Sequence, residues 1–247
     1  MKRSGVFAVL ASLIAVPAAA APFHVEFWDV DIFDQATLAP GADRAPSGEV
    51  IGDAEDNANR GQPGGVLDDV LSVIDRRTPD FTFQSTAIDY PGPSGGFNPE
   101  TLANAGGETL GDFLGPDAAA LTAAQRDTEL LGSIFRFTGL LGVEDGVNAF
   151  ELFSDDGFQL TVDGVLLGEF TGIRAFGSDD FDLALTEGGV PFELIYYDAL
   201  TSQAGVQLLV NGETATPVPL PASLAMMLSG FGLLALFGIG RLRRPLA

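Results

Sequence analysis

The sequence predicts a mainly β protein, an antiparallel sandwich or barrel with short helical insertions, on three observations. Phe158, Leu160 and Val162 alternate with Gln159, Thr161 and Asp163, the period of a strand with one buried face and one wet face. Asp163-Gly164 follows at once, a dipeptide suited to the positive φ angles of a type I′ hairpin turn. The apolar runs around it are short and punctuated by Gly-rich turns, as in sheets packed face to face or closed on themselves.

Taken in order, Val25–Val30 is a strand offering Phe27 and Trp28 to a core. Asp29, Asp31 and Asp34 follow at a calcium-loop-like spacing, but the glycine and terminal glutamate of an EF-hand are missing. Residues 39–65 are rich in Gly, Pro, Asp and Asn and are expected as a long loop. Val66–Arg77 places Val66, Leu67, Val70, Leu71 and Ile74 at helical spacing, with Asp68 and Asp69 near its start and arginines at its end. That charge order suits the helix dipole, so a short helix packed on the sheet is predicted. Asp80–Tyr90 is expected as one strand, Leu110–Gln125 as a short helix and Ile134–Thr138 as a strand.

The stretch from Phe135 to Gly164 is expected as a β-meander: a strand at Phe150–Phe153, a tight bend at Ser154-Asp155-Asp156-Gly157, then the Phe158–Val162 strand and its hairpin partner from Val165. Thr171–Asp180 is expected as a loop holding a second Ser-Asp-Asp at 178–180. Phe181–Leu185, Phe192–Tyr197 and Val206–Val210 supply the last strands, with Asp198–Gly205 a polar loop.

Composition narrows the chemistry. The 247-residue chain has no cysteine and one histidine, His24. That excludes thiol nucleophiles, thiolate metal sites and multi-histidine metal sites. The net charge is −22, and all 34 acidic residues lie between Glu26 and Glu213, where only seven of the 12 basic residues lie. Such a surface repels nucleic acid and anionic lipid, attracts divalent cations and keeps an exported protein soluble.

The ends are expected to be addresses. Residues 1–21 run from Lys2 and Arg3 through an apolar stretch to Ala18–Ala21, the layout of a cleaved secretory signal peptide. Residues 22–212 are expected as one domain and 213–218 as a linker. Thr214–Gly240 carries no charge, and Leu220–Ile239 is long enough to span a bilayer before Arg241, Arg243 and Arg244. The span opens with Val218, Pro219, Leu220, Pro221 and Ala222. This arrangement over 218–247 resembles the VPLPA-CTERM class of bacterial sorting signals, relatives of PEP-CTERM. The resemblance implies recognition and cleavage by an exosortase-type membrane peptidase. It also implies a membrane-anchored precursor and final residence at the surface, or in the biofilm matrix, of a Gram-negative bacterium.

FRFTG at 135–139, FELFSDDGFQLTVDG at 150–164, PFELIYYDA at 191–199 and VQLLV at 206–210 resemble the protective-antigen-type (PA14-like) β-sandwich domain of toxins, glycosidases and flocculin adhesins. Adjacent side chains of an extended strand point to opposite faces. Asp155 and Asp156 therefore converge only at a sharp bend, such as one made by a cis peptide. In the flocculin branch a cis Asp-Asp pair holds calcium, and the calcium holds sugar hydroxyls. The resemblance maps that pair to Asp155 and Asp156, and a later Asn ligand to Asp198, a departure that adds charge. It implies the carbonyls of Leu200 and Ser202 as further ligands.

Three functions follow. One is a non-enzymatic, calcium-dependent carbohydrate-binding or adhesion module. Another is a structural matrix protein whose Asp pair only makes a turn. The third is a glycoside hydrolase, for which two carboxylates suffice but no particular pair is singled out.

Overall fold

The computed structural model describes residues 20–32, 50–51, 66–92, 102–200 and 202–218. The expected signal peptide up to residue 19, Asp34, most of the 39–65 loop, and the sorting segment from Pro219 onward, including Leu220, Pro221, Ala222, Arg241, Arg243 and Arg244, lie outside them. Among the described residues no helix is long and apolar enough to cross a membrane.

Two antiparallel sheets face each other. The first has the strand order β4-β1-β6-β11-β8-β9, where β1 is Phe23–Asp29, β4 Phe81–Ser85, β6 Ser133–Val143, β8 Gly157–Val162, β9 Val165–Phe170 and β11 Gly188–Asp198. The second has the order β10-β7-β12-β13, with β7 Gly146–Asp155, β10 Gly177–Leu185, β12 Gly205–Val210 and β13 Glu213–Thr214; the short β5, Asp89–Tyr90, also pairs with β12. A separate parallel pair joins β2, Asp31–Ile32, to β3, Val50–Ile51. The chain is thus mainly β, as its alternation predicts.

Register places one residue of every two on the inner face. Phe27, Phe135, Tyr196 and Phe158 lie side by side across β1, β6, β11 and β8, as do Val25, Phe137, Leu194 and Leu160. All eight are buried. Phe135 is the hub of an aromatic cluster, its ring centroid 5.1 Å from Phe27, 5.6 Å from Phe113 and 5.7 Å from Tyr196. The second sheet answers with Phe150, Leu152, Val206 and Leu208, also buried.

The outer face of the first sheet is partly covered. Helix α1, Val66–Arg76, buries Val66, Leu67, Val70 and Val73. It is tied to the sheet by Leu67 N–H donating to the Thr171 carbonyl (3.1 Å) and Trp28 Nε1 donating to the Arg77 carbonyl (3.2 Å). This cover explains why Ile195 and Tyr197, on the outer positions of β11, are as buried as the inner ones.

The structure corrects several sequence expectations. Asp80–Tyr90 is not one strand: the chain breaks after Ser85, whose hydroxyl donates to the Ala87 carbonyl, and Asp89–Tyr90 joins the other sheet. Leu110–Gln125 is three short pieces: α2, Leu110–Leu114, a 3-10 helix, Gly115–Ala120, and α3, Ala123–Arg126. Thr109 caps α2 and a Thr122–Gln125 capping box starts α3. Ser178-Asp179-Asp180 lies inside β10 rather than in a loop. The expected linker 213–218 continues the fold instead: β13 pairs with β12, Ala215 is buried and Pro217 bridges to Leu141.

The largest correction concerns the meander. β7 and β8 do not pair with each other. β7 lies in the second sheet and β8 in the first, so the Asp155-Asp156 bend is the corner where the chain crosses the sandwich. The hairpin that follows is as expected, with Asp163 at φ 51° and Gly164 at φ 75°.

Candidate metal and ligand site

Asp155 ends β7, opposite Gly205 of β12. The Asp155-Asp156 peptide bond is cis, and both carboxylates meet amides of the loop between β9 and β10. Asp198 ends β11. Asp155, Asp156 and Asp198 are all buried, at 3%, 0% and 0% exposure.

Backbone donors from two loops hold the pair. Arg174 N–H donates to Asp156 Oδ1 (3.1 Å), Ala199 N–H to Asp156 Oδ2 (2.8 Å) and Phe176 N–H to Asp155 Oδ2 (3.1 Å). The corner's own backbone is also engaged. Asp156 N–H donates to the Tyr197 carbonyl at 3.3 Å, and the Asp156 carbonyl accepts from Ser154 Oγ at 2.8 Å.

Asp198 differs. Neither of its carboxylate oxygens closes a hydrogen bond, although both are buried. The N–H groups of Leu200 and Gly132 lie near enough to favour its charged form, but burial and the charges of Asp156 and Asp155 outweigh them and push its pKa well up. Burial likewise pushes Asp155 up to about 6, against the Phe176 N–H, its contact with Asp156 and the Arg174 charge, which favour ionisation. Three carboxylates packed at one buried corner are therefore short of positive charge.

The donor set suits a hard divalent cation: all oxygen, with no histidine or thiol. The orphaned Asp198 oxygens are the kind of buried acceptor that a cation or a proton must answer. Among the described residues, however, no group of three or more acidic or histidine side chains is arranged to hold a metal by itself. An ion at this corner would need backbone oxygens as well. Leu200 and Ser202 sit on the loop just after Asp198, Leu200 half-buried and Ser202 exposed. His24 is exposed on β1, and Asp179, from the second Ser-Asp-Asp, faces Arg174 rather than the pair.

Sequence reasoning missed Arg174, whose side chain lies beside the corner, and Tyr196, whose hydroxyl donates to the Asp155 carbonyl at 2.6 Å. The signal for Arg174 was its rarity as a cation in an acidic domain; Tyr196 carried none beyond its place on an inner face.

The sequence matches no protein-family model and no curated protein. Solved structures do resemble the fold. The PA14 sugar-binding domain from an RTX adhesin aligns with a TM-score of 0.50 at 21% identity, covering 81% of this chain and 96% of that one. The PA14 domain of the antifreeze protein MpAFP aligns with a TM-score of 0.52 at 17% identity, covering 87% and 92%. The chain therefore has a PA14-like β-sandwich fold.

Proposed function

We propose that this chain is an exported, non-enzymatic, calcium-dependent carbohydrate-binding or matrix-adhesion module. The observation that carries this reading is the buried corner, where Asp155 and Asp156 lie beside Asp198, neither of whose carboxylate oxygens closes a hydrogen bond. Asp155, Asp156 and Asp198, with carbonyls of the Leu200–Ser202 loop, are the proposed ligands. Bound calcium supplies coordination positions that neighbouring sugar hydroxyls can fill. The chain's own part is to hold the carboxylates in place and keep the corner otherwise dry. The similarity to a solved domain named as sugar-binding supports a glycan as the partner.

The Val218–Ala222 motif and the Arg241, Arg243 and Arg244 cluster support sorting by an exosortase-type membrane peptidase to the cell surface or matrix. Val218 is within the described fold, its side chain packed against Gly142 and Gly189. Residues 219–222 follow directly.

The test is glycan binding by the purified protein, on an array that includes the producer's own polysaccharide, in calcium and in chelator. Binding in calcium that is lost in chelator and in Asp156→Asn is the expected result. No binding to any polysaccharide would leave the second reading, a structural matrix protein. That reading is favoured by the backbone N–H groups that already satisfy three of the pair's oxygens.

A further inference from the structure

We infer that Arg174 is a positioning residue that sets the geometry in which the Asp155–Asp156 carboxylates are presented; its effect on calcium affinity rests on the proposed function. Arg174 lies in the loop between β9 and β10, and its side chain is 14% exposed. The guanidinium reaches both sheets at once. Nη1 donates to Asp179 Oδ2 of β10 at 2.5 Å, and Nη2 donates to the Gly177 carbonyl at 3.2 Å and to Ser154 Oγ of β7 at 2.8 Å. Its Cζ lies 4.5 Å from the ring centroid of Phe170 on β9 and 5.4 Å from that of Phe158 on β8.

The Ser154 contact and the loop's own main chain lead back to the corner. The Ser154 hydroxyl that accepts from Arg174 donates in turn to the Asp156 carbonyl. The Arg174 main chain supplies the N–H that holds Asp156 Oδ1, and Phe176, two residues on, supplies the one that holds Asp155 Oδ2. Anchoring the side chain thus fixes the loop whose amides aim both carboxylates. A lysine keeps the charge but is a point donor on a flexible stem, and cannot reproduce a planar fork bonded to three groups and stacked on two rings.

The geometry also separates this role from simple charge neutralisation. A lone positive charge near the pair would oppose a cation, and removing it would tighten calcium binding. A positioning role predicts the reverse: binding weakens although the charge is retained.

The experiment compares wild type with Arg174→Lys and Arg174→Met by calcium titration calorimetry and by hydrogen exchange of the residue 174 and Phe176 amides in chelator. The expected result is a Kd raised about tenfold or more in Arg174→Lys, equivalent to about 1.4 kcal/mol, with faster exchange at both amides. A lower melting temperature with an unchanged Kd and unchanged exchange would overturn the proposal, as would tighter calcium binding in Arg174→Met. If wild type itself takes up no calcium, the proposed function fails. The exchange readout, which needs no ion, then decides the positioning role alone: unaltered protection of both amides in Arg174→Lys refutes it.

Discussion

The Tyr196 hydroxyl donates to the Asp155 carbonyl at 2.6 Å and accepts from Gly205 N–H at 3.0 Å. Tyr196 is also part of the aromatic core, 5.7 Å from Phe135 and 6.5 Å from Phe113 between ring centroids. One side chain therefore joins the centre of the first sheet to the ends of β7 and β12, where the candidate site begins. Burial and the nearby carboxylates push its own ionisation well above the usual tyrosine range, so the hydroxyl keeps its proton.

Tyr196→Phe would leave a buried carbonyl and a buried N–H without their shared partner. Such unsatisfied groups cost about 1–3 kcal/mol. The predicted outcome is a stability loss of that size in urea denaturation. Calcium affinity should fall with it, because Asp155 loses the bond that fixes its carbonyl. A variant as stable as wild type would show that the hydroxyl contributes no net stabilisation.

The raised carboxylates set a pH dependence whose sign can be worked out. Asp155 in the folded chain titrates near pH 6 against an ordinary value of 3.8, and Asp198 is also raised. Between those values the folded state binds more protons than the unfolded one, so stability falls as pH rises through that window. The calcium-free protein should therefore melt at a higher temperature near pH 5 than near pH 7. Saturating calcium should reverse the trend, because the ion binds the ionised form. Scanning calorimetry in chelator and in calcium across pH 5–7.5 checks this, and an identical profile in both would contradict it.

Asp198→Asn separates the two things Asp198 does. The amide cannot ionise, so it removes the cost of a buried ionisable carboxyl beside Asp155 and Asp156, and it brings its own N–H donors. The calcium-free protein should gain stability at pH 7, and its melting temperature should depend less on pH. Calcium should bind more weakly, since one anionic ligand is lost. Calcium at about 100 times its Kd should stabilise wild type by about 2.7 kcal/mol, and the variant less at the same concentration. Equal stabilisation would remove Asp198 from the ligand set.

How much of this was legible in the sequence depends on the range of the interaction. Alternation at 158–162 and 192–197 and the Asp163-Gly164 turn are local, and they fixed the strands and the hairpin that the structure contains. The pairing of those strands is not local. Nothing between Phe153 and Phe158 says that the two strands separate into different sheets rather than form a hairpin. The break after Ser85 has the same cause, since a polar segment of Ser, Thr and Ala carries no strong stop signal. In the candidate site, adjacency made Asp155 and Asp156 conspicuous, and the resemblance brought in Asp198. The Arg174 clasp required knowing that residues 154, 170 and 179 meet around residue 174, which is a tertiary fact.

Two glycines in the central stretch test the corner against the hairpin. At Gly157 a Cβ would overlap the Tyr197 hydroxyl and press on the Phe170 carbonyl, both part of the packing that closes the corner. The Tyr197 hydroxyl lies 2.9 Å and 3.0 Å from the Phe170 and Gly172 carbonyls and donates its one proton between them. It cannot withdraw without losing that bond. At Gly164 a Cβ meets nothing within 4 Å, and the only difficulty is φ of 75°. Overpacking costs about 1–3 kcal/mol and sometimes more, and the lost hydroxyl bond adds to it. A left-handed alanine costs about 1–2 kcal/mol. Gly157→Ala should therefore destabilise more than Gly164→Ala, and it alone should weaken calcium binding, because it displaces the loop that carries the Arg174 and Phe176 amides. Urea denaturation and calcium titration of the two variants side by side measure both effects. Equal calcium affinities would mean that the corner tolerates movement of Tyr197 without disturbing the carboxylates.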